Sequence, residues 1–265
     1  MKNFLVIGNP IKHSMSPQLH NFWIKINNIK ASYDKIKLNE NDIEHILQKV
    51  KNKKIDGLNV TVPFKNKVIP FLDKLSLEAE STESVNTIYL DEKNNLVGHN
   101  TDIFGFTSAI KKLNFDIEEK KIFILGAGGV VPSIIYALNR MNVSKIFISN
   151  RTLEKAEKMK IKFNNLIVTK WGKVPEFDVI INATSLGLNN ESMNLDFSNQ
   201  GNDKLFYDVI YNPSETNFLK EGKRLGNLSE NGQLMFIYQA LESFRLWHGI
   251  EPEINDETFN ILKND

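Results

Sequence analysis

The chain has 265 residues, of which 41% are hydrophobic and 25% charged, with a formal net charge of +1 and no cysteine. So even a balance excludes partners recruited by bulk charge, such as nucleic acid or an anionic membrane surface. The missing cysteines exclude a disulfide framework and thiolate metal sites, and they point to a reducing, cytoplasmic setting.

The length suits two modest domains better than one. After Met1-Lys2-Asn3 the apolar run FLVIG (4–8) is too short for a signal segment and reads as a buried strand. No stretch approaches the roughly 18 apolar residues of a membrane span. SPQLHNFWIKIN (16–27) reads as a helix with Ser16 as N-cap and Pro17 at the first position. A second helix is expected over 41–50 and a second strand over 57–62 (GLNVTV). That strand runs into NVTVPFK, where Val60 and Val62 alternate with Asn59 and Thr61 before Pro63 stops the ladder. Alternation alone would make it a strand with one wet face. A helical stretch follows around 67–80, and then SVNTIYL and NLVGHNTD read as paired strands across DEKNN. Lysine clusters such as KVKNKK (49–54) carry no interleaved aromatics and read as solvated helix ends.

A second unit opens near residue 103. KIFILGAGGVVPSIIYALNRM (121–141) is an apolar strand, a glycine turn and a helix. KIFISNRT (145–152), FDVIINATSLG (177–187) and KLFYDVIY (204–211) add strands at the spacing of a wound nucleotide-binding sheet. QLMFIYQALESFRLWHGI (233–250) is a long amphipathic helix able to reach back to the first domain. The expected fold is therefore α/β with two domains. Residues 1–102, completed by C-terminal helices over about 238–265, form a mainly parallel substrate-binding domain; residues 103–237 form a Rossmann-type domain.

In the glycine turn, Gly126 lets the chain turn and Gly128 lets a pyrophosphate approach the backbone, while the third position of the G-x-G-x-x-G pattern is Val131. At the end of the next strand an NAD site would place a carboxylate against the ribose 2′-hydroxyl. This chain has Asn150-Arg151-Thr152 with Lys155 one turn on, and cations there suit the 2′-phosphate of NADP. The competing reading is an arginine that only marks a helix start. In the first domain, Ser14, Ser16, Asn59, Thr61, Lys65, Asn86 and Asp102 fall at or just past predicted strand ends, where open α/β sheets bind ligands. Short hydrogen-bonding side chains of this kind suit a small polyhydroxylated substrate.

Taken in order, GNPIKHSMSPQLHN, NVTVPFK, SVNT, HNTD, GAGG, SNRT, INATSLG, YDVIYNPSETNFL and NGQLMFIYQALESFRLWHG closely resemble the shikimate dehydrogenases along nearly the whole chain. The resemblance implies NADP-linked, reversible reduction of 3-dehydroshikimate to shikimate, a step towards the aromatic amino acids. It implies Lys65 and Asp102 as the catalytic pair, and Ser14, Ser16, Asn59, Thr61, Asn86, Tyr211 and Gln239 as substrate contacts. It implies cofactor contacts from Gly126, Ala127, Gly128, Gly129 and Val130, from Asn150, Arg151, Thr152 and Lys155, and from Thr184, Val209 and Gly232. A monomer or homodimer acting on small molecules is expected. Three positions depart from the family's usual pattern: Val131-Pro132 after the glycines, Ile103 after NTD, and Leu234 at the start of the last helix.

Which of Lys65 and Asp102 transfers the proton stays open at the level of sequence; Lys65 is the favoured carrier, with Asp102 orienting it. Two alternatives stand beside this reading. One is a quinate/shikimate dehydrogenase with broader substrate or NAD use; the other is a non-catalytic dinucleotide-binding regulatory module. The five histidines, His13, His20, His45, His99 and His248, show no metal-ligand spacing, so no metal is expected.

Overall fold

The computed structural model describes residues 1–189 and 191–263. The chain divides into two compact units, Phe106–Phe236 and a second made of Met1–Gly105 with the chain from Ile237 onward. The N-terminal part of the latter runs β1 (Lys2–Gly8), α1 (Ser16–Ile26), β2 (Ala31–Lys37), α2 (Ile43–Lys51), β3 (Gly57–Val60), β4 (Lys74–Leu75), α3 (Leu77–Thr82), β5 (Thr87–Leu90) and β6 (Leu96–His99), and α4 (Asp102–Lys112) starts in it and from Phe106 belongs to the other. Its six strands lie in the order β2-β1-β3-β5-β6-β4, parallel except where β5 runs against β3 and β6.

Several local expectations are corrected here. Ser16 is the first residue of α1 and Met15 occupies the cap position, so no side chain caps that helix. The stretch 67–80 is not one helix. Pro70 sits in a short 3-10 turn (Ile69–Phe71), Lys74–Leu75 pair with β6, and only Leu77–Thr82 is α-helical. Ser76 caps that last helix by accepting from the Ala79 N–H at 3.2 Å. Strand β2 escapes the sequence reading because Asp34, Lys35 and Lys37 blunt its hydrophobic pattern, as charges do on an edge strand.

All four residues of β3 are buried, so it has no wet face. Leu58 and Val60 pack into a core with Ile7, Ile46, Leu47, Val50 and Phe64. The opposite face carries Gly57 and Asn59, covered by the C-terminal helix described below.

The unit Phe106–Phe236 continues with β7 (Lys121–Leu125), α5 (Val131–Arg140), β8 (Lys145–Ser149), α6 (Leu153–Lys162), β9 (Leu166–Thr169), β10 (Val179–Asn182), β11 (Leu205–Asp208), α7 (Asn217–Arg224) and β12 (Leu228–Glu230). Its strands are all parallel in the order β12-β11-β10-β7-β8-β9. The winding reverses between β7 and β10, which are direct neighbours, and their carboxyl ends open the crevice in which such sheets bind nucleotides. Strands β10 and β11 are buried along their whole length, as a sheet covered on both faces requires. Phe123, Phe177, Phe197, Phe206 and Phe218 form the core on one side.

Helix α8 (Gln233–His248) begins in this unit and from Ile237 belongs to the other, followed by α9 (Asp256–Asn260). Its fit to β3 is a matter of spacing. A side chain on Gly57 would strike the Trp247 ring, with Nε1 2.5 Å from the added carbon, and Asn59 donates to Ser243 Oγ at 3.0 Å. Two residues of strand advance about 6.7 Å and four of helix about 6 Å, so 57 and 59 meet 247 and 243 in step.

Candidate active site

One rung of the first sheet aligns Val6, Asn59, Thr87 and His99 across β1, β3, β5 and β6. Asn86 precedes β5, yet because β5 is antiparallel it comes to the carboxyl end of β3, where its carbonyl accepts from the Val60 N–H at 2.9 Å. The Asn86 amide then organises the turn after β6. Its Oδ1 accepts from the Thr101 N–H at 2.8 Å, and its Nδ2 donates to Thr101 Oγ1 and Asp102 Oδ1, both at 2.9 Å. The other oxygen of Asp102 accepts from Lys65 Nζ. The two side chains are 13% and 7% exposed, so a paired ammonium and carboxylate are held almost out of solvent. Beyond NVTVPF the backbone is tied as well: the Lys65 carbonyl accepts from the Val85 N–H at 2.8 Å.

Asn59 is the second hub. It receives the Tyr33 hydroxyl at Oδ1 at 2.6 Å, and its Nδ2 donates to the Asn86 carbonyl, Thr87 Oγ1 and Ser243 Oγ between 3.0 and 3.1 Å. Ser243 in turn donates to the Gln239 carbonyl at 3.0 Å, and the Gln239 side-chain oxygen lies 3.4 Å from Asn86 Nδ2. Ser14 and Ser16 converge through the turn into α1 rather than along extended backbone, with hydroxyls 3.3 Å apart. Lys35 Nζ donates to the Lys12 and Ser14 carbonyls at 2.6 and 3.3 Å and holds that turn. Thr61 lies just beyond β3, its N–H bonded to the Ile7 carbonyl at 2.9 Å. Thus Lys65, Asp102, Asn59, Asn86 and Gln239 share one network. Tyr211 lies in the unit Phe106–Phe236, its ring stacked on Phe236 at 4.5 Å.

Sequence reasoning missed Tyr33, Thr87, Thr101, Ser243 and Lys35. A buried hydroxyl inside an apolar helix, as at Ser243, gives no local signal of its partners. His99 accepts from the Asn100 N–H at Nδ1 (2.7 Å), and burial, the largest influence on it, holds its pKa below the usual histidine value.

In the other unit, a cavity of about 230 Å³ opens at the carboxyl ends of β7, β8 and β10. Gly126, Ala127 and Gly128 line it, with Asn150, Arg151, Lys155 and Thr184. Gly126 has φ +111°, and a side chain there would meet the Ala183 carbonyl at 2.7 Å, so the turn demands glycine. At Gly129 an added carbon would meet nothing within 4 Å. Val130 occupies the cap position of α5. Asn150 Nδ2 donates to the Thr152 carbonyl at 2.8 Å and shapes the turn that presents Arg151. Arg151 and Lys155 have no carboxylate partner among the described residues, and the cavity lining contains no acid. This donor set fits the phosphates of a dinucleotide, including one at the ribose 2′ position.

Val209 and Gly232 touch each other rather than line the cavity; any side chain at 232 would collide with the Val209 carbonyl. Behind them, buried Asp208 accepts from Thr216 Oγ1 at 2.6 Å and from Asn182 Nδ2 and the Ile210 N–H at 3.0 Å. Burial outweighs these bonds and raises its pKa above the ordinary carboxylate value. Asn182 Oδ1 also accepts from the Thr184 hydroxyl at 2.7 Å, so the network positions the Thr184 wall. Trp171, Ala183, Ser185 and Leu186 line the cavity too and had not been singled out.

The comparisons with known proteins agree along the chain. Residues 6–88 match the family described as the shikimate dehydrogenase substrate binding domain, 107–213 match shikimate/quinate 5-dehydrogenase, and 234–255 match the shikimate 5′-dehydrogenase C-terminal domain. A shikimate dehydrogenase (NADP(+)) from Pelagibacter ubique is 53% identical over 262 residues, covering 98% of both chains. The crystal structure of shikimate dehydrogenase from Aquifex aeolicus superimposes with a TM-score of 0.88 at 34% identity, covering 100% of this chain and 98% of that one. A Thermus thermophilus shikimate 5-dehydrogenase in complex with NADP(H) and shikimate gives a TM-score of 0.88 at 29% identity, over 99% and 98% of the two chains. With a match of this extent along the chain, the chain belongs to the shikimate dehydrogenase family.

Proposed function

We propose that Lys65 and Asp102 are the proton-handling pair with which this chain interconverts 3-dehydroshikimate and shikimate, using NADP(H). The activity is that of an NADP-dependent oxidoreductase of aromatic biosynthesis. The observation that carries the assignment of residues is the Lys65–Asp102 pair, nearly buried and locked by Asn86.

When bound, NADPH supplies the hydride that reduces the substrate ketone. A ketone gaining hydride needs a proton at its oxygen, and the reverse reaction needs a base there. Lys65 Nζ holds that proton. Asp102, with one oxygen fixed by Asn86, aims the ammonium and keeps its charge compensated in a desolvated place. Asn59, Asn86, Gln239, Ser14, Ser16, Thr61 and Tyr211 serve the substrate's hydroxyls and carboxylate. Arg151 and Lys155 grip the 2′-phosphate, and the 126–130 turn, with Asn150, Thr152, Thr184, Val209 and Gly232, shapes the rest of the cofactor site. We place this work in the reducing cytoplasm, carried out by a monomer or homodimer.

The test is the absorbance of reduced cofactor with shikimate and NADP, run on the native chain and on Lys65→Ala. The native chain is expected to turn over, and the variant to lose about 10²- to 10⁴-fold in kcat, the usual worth of a positioned acid–base group. Near-normal turnover in the variant with an unchanged pH profile would remove Lys65 from the role.

A further inference from the structure

The cofactor cavity has one wall whose chemistry the phosphate-binding groups do not explain. We propose that Trp171 supplies the aromatic face on which the adenine ring of NADP(H) stacks; this rests on the NADP reading above. Trp171 stands just past the carboxyl end of β9, the strand beside β8, and it lines the cavity together with Gly128, Arg151 and Lys155. Among the described residues it is the only aromatic one in that lining.

Its indole is half-buried. Part of it packs on the phenylalanine core of the unit, beside Leu186 and Val174. A tryptophan serving the core alone would be expected to find ring partners there, as Phe177 does with Phe123, Phe197 and Phe206. Among the described residues Trp171 stacks on no ring, and it lines the cavity. The cations of that cavity recognise phosphate, and the glycine turn offers peptide N–H groups. The Arg151 guanidinium can cover one face of a planar heterocycle, but the glycine turn offers nothing flat for the other. A tryptophan face does, through stacking that any base can use. The ligand class read from the lining is therefore a purine nucleotide carrying phosphates on its ribose, which is the adenosine half of NADP(H).

The experiment titrates the full chain with adenosine 2′,5′-bisphosphate, a probe without nicotinamide that supports no turnover. Calorimetry gives the affinity, and tryptophan fluorescence gives the location. The chain has three tryptophans, and the other two, Trp23 and Trp247, belong to the other unit. Binding is expected to change the indole emission of the native chain. Trp171→Leu is expected to abolish that change and weaken binding roughly tenfold, while Trp171→Phe keeps affinity within about threefold of native, since stacking needs an aromatic face. Leucine and phenylalanine both satisfy an apolar packing role, so equal affinities in the two variants overturn the proposal. Binding to the native chain with unchanged emission also overturns it, and that arm needs no variant to fold. A native chain that turns over NADPH with unaltered probe affinity in Trp171→Leu loses only this inference. A native chain that neither binds the probe nor turns over loses the NADP reading as well.

Discussion

At the scale of single residues, Asn86 shows how a site can be ordered by an amide. A carboxamide offers both donor and acceptor, so one side chain can hold the Thr101 backbone and the Asp102 carboxylate at once. Each bond adds only about 1 kcal/mol net, but an unmet buried partner costs about 1–3 kcal/mol, so the arrangement is enforced by what its loss would leave unpaired. Arg151 acts differently: it is exposed, and in the proposed function its value lies in selecting a ligand. Arg151→Gln removes a charge-assisted bond worth about 1.5–3 kcal/mol. It is therefore expected to raise KM for NADP roughly ten- to a hundredfold while leaving NAD nearly unchanged, as paired kcat/KM values would show. Equal losses with both cofactors would mean that Arg151 does not read the 2′-phosphate. Arg151 was legible in the sequence because it falls at a fixed place after a strand. Ser243 was not, because its partner Asn59 lies 184 residues away.

At the scale of elements, the ends of β10 and β11 and the start of α7 form one device. The Thr216 side chain caps α7 by accepting from the Leu219 N–H at 3.4 Å, and it donates to Asp208 at 2.6 Å. Thr216→Val keeps the shape and removes both bonds. The loss of a cap, about 1 kcal/mol, and a weakened set of partners for a buried carboxylate together predict a destabilisation of about 2–3 kcal/mol in denaturant unfolding. A change below about 0.5 kcal/mol, the usual surface value, would show that the pair is idle. The strands themselves were readable from their apolar runs. The segment 67–80 was not, since a proline turn, a two-residue strand and a short helix share one apolar pattern too short to separate.

At the scale of the whole molecule, buried histidines give stability a pH dependence. His20 is buried with neither ring nitrogen bonded, stacked on Tyr33 at 4.2 Å, and burial, with a smaller push from His248, lowers its pKa to about 3. Half-buried His248 is lowered to about 4, first by burial and then by Lys2. In the unfolded chain both return to 6.5. Between these values the unfolded state binds more protons than the folded one, so stability rises with pH across this window and is lost as pH falls from 6.5 towards 4. Melting temperatures measured across that window should fall steadily towards acid, and His20→Phe, which keeps the stack, should flatten the decline. A melting temperature independent of pH there would contradict the burial argument.

What the sequence determined by itself is whatever depends on neighbours along the chain. That covers the two α/β units, the strand-turn-helix at Gly126, the cations at Arg151 and Lys155, and the ordered strings that carry Lys65 and Asp102. Periodicity, glycine freedom and charge act over a few residues and leave a readable trace. Tertiary structure alone decided that Asn59 is buried rather than wet, that Tyr33 and Ser243 complete its bonds, and that Trp171 lines the cavity with Gly128 and Arg151. These pairings join residues brought together only when the sheets close and α8 returns to β3, and no local propensity specifies a partner at that distance.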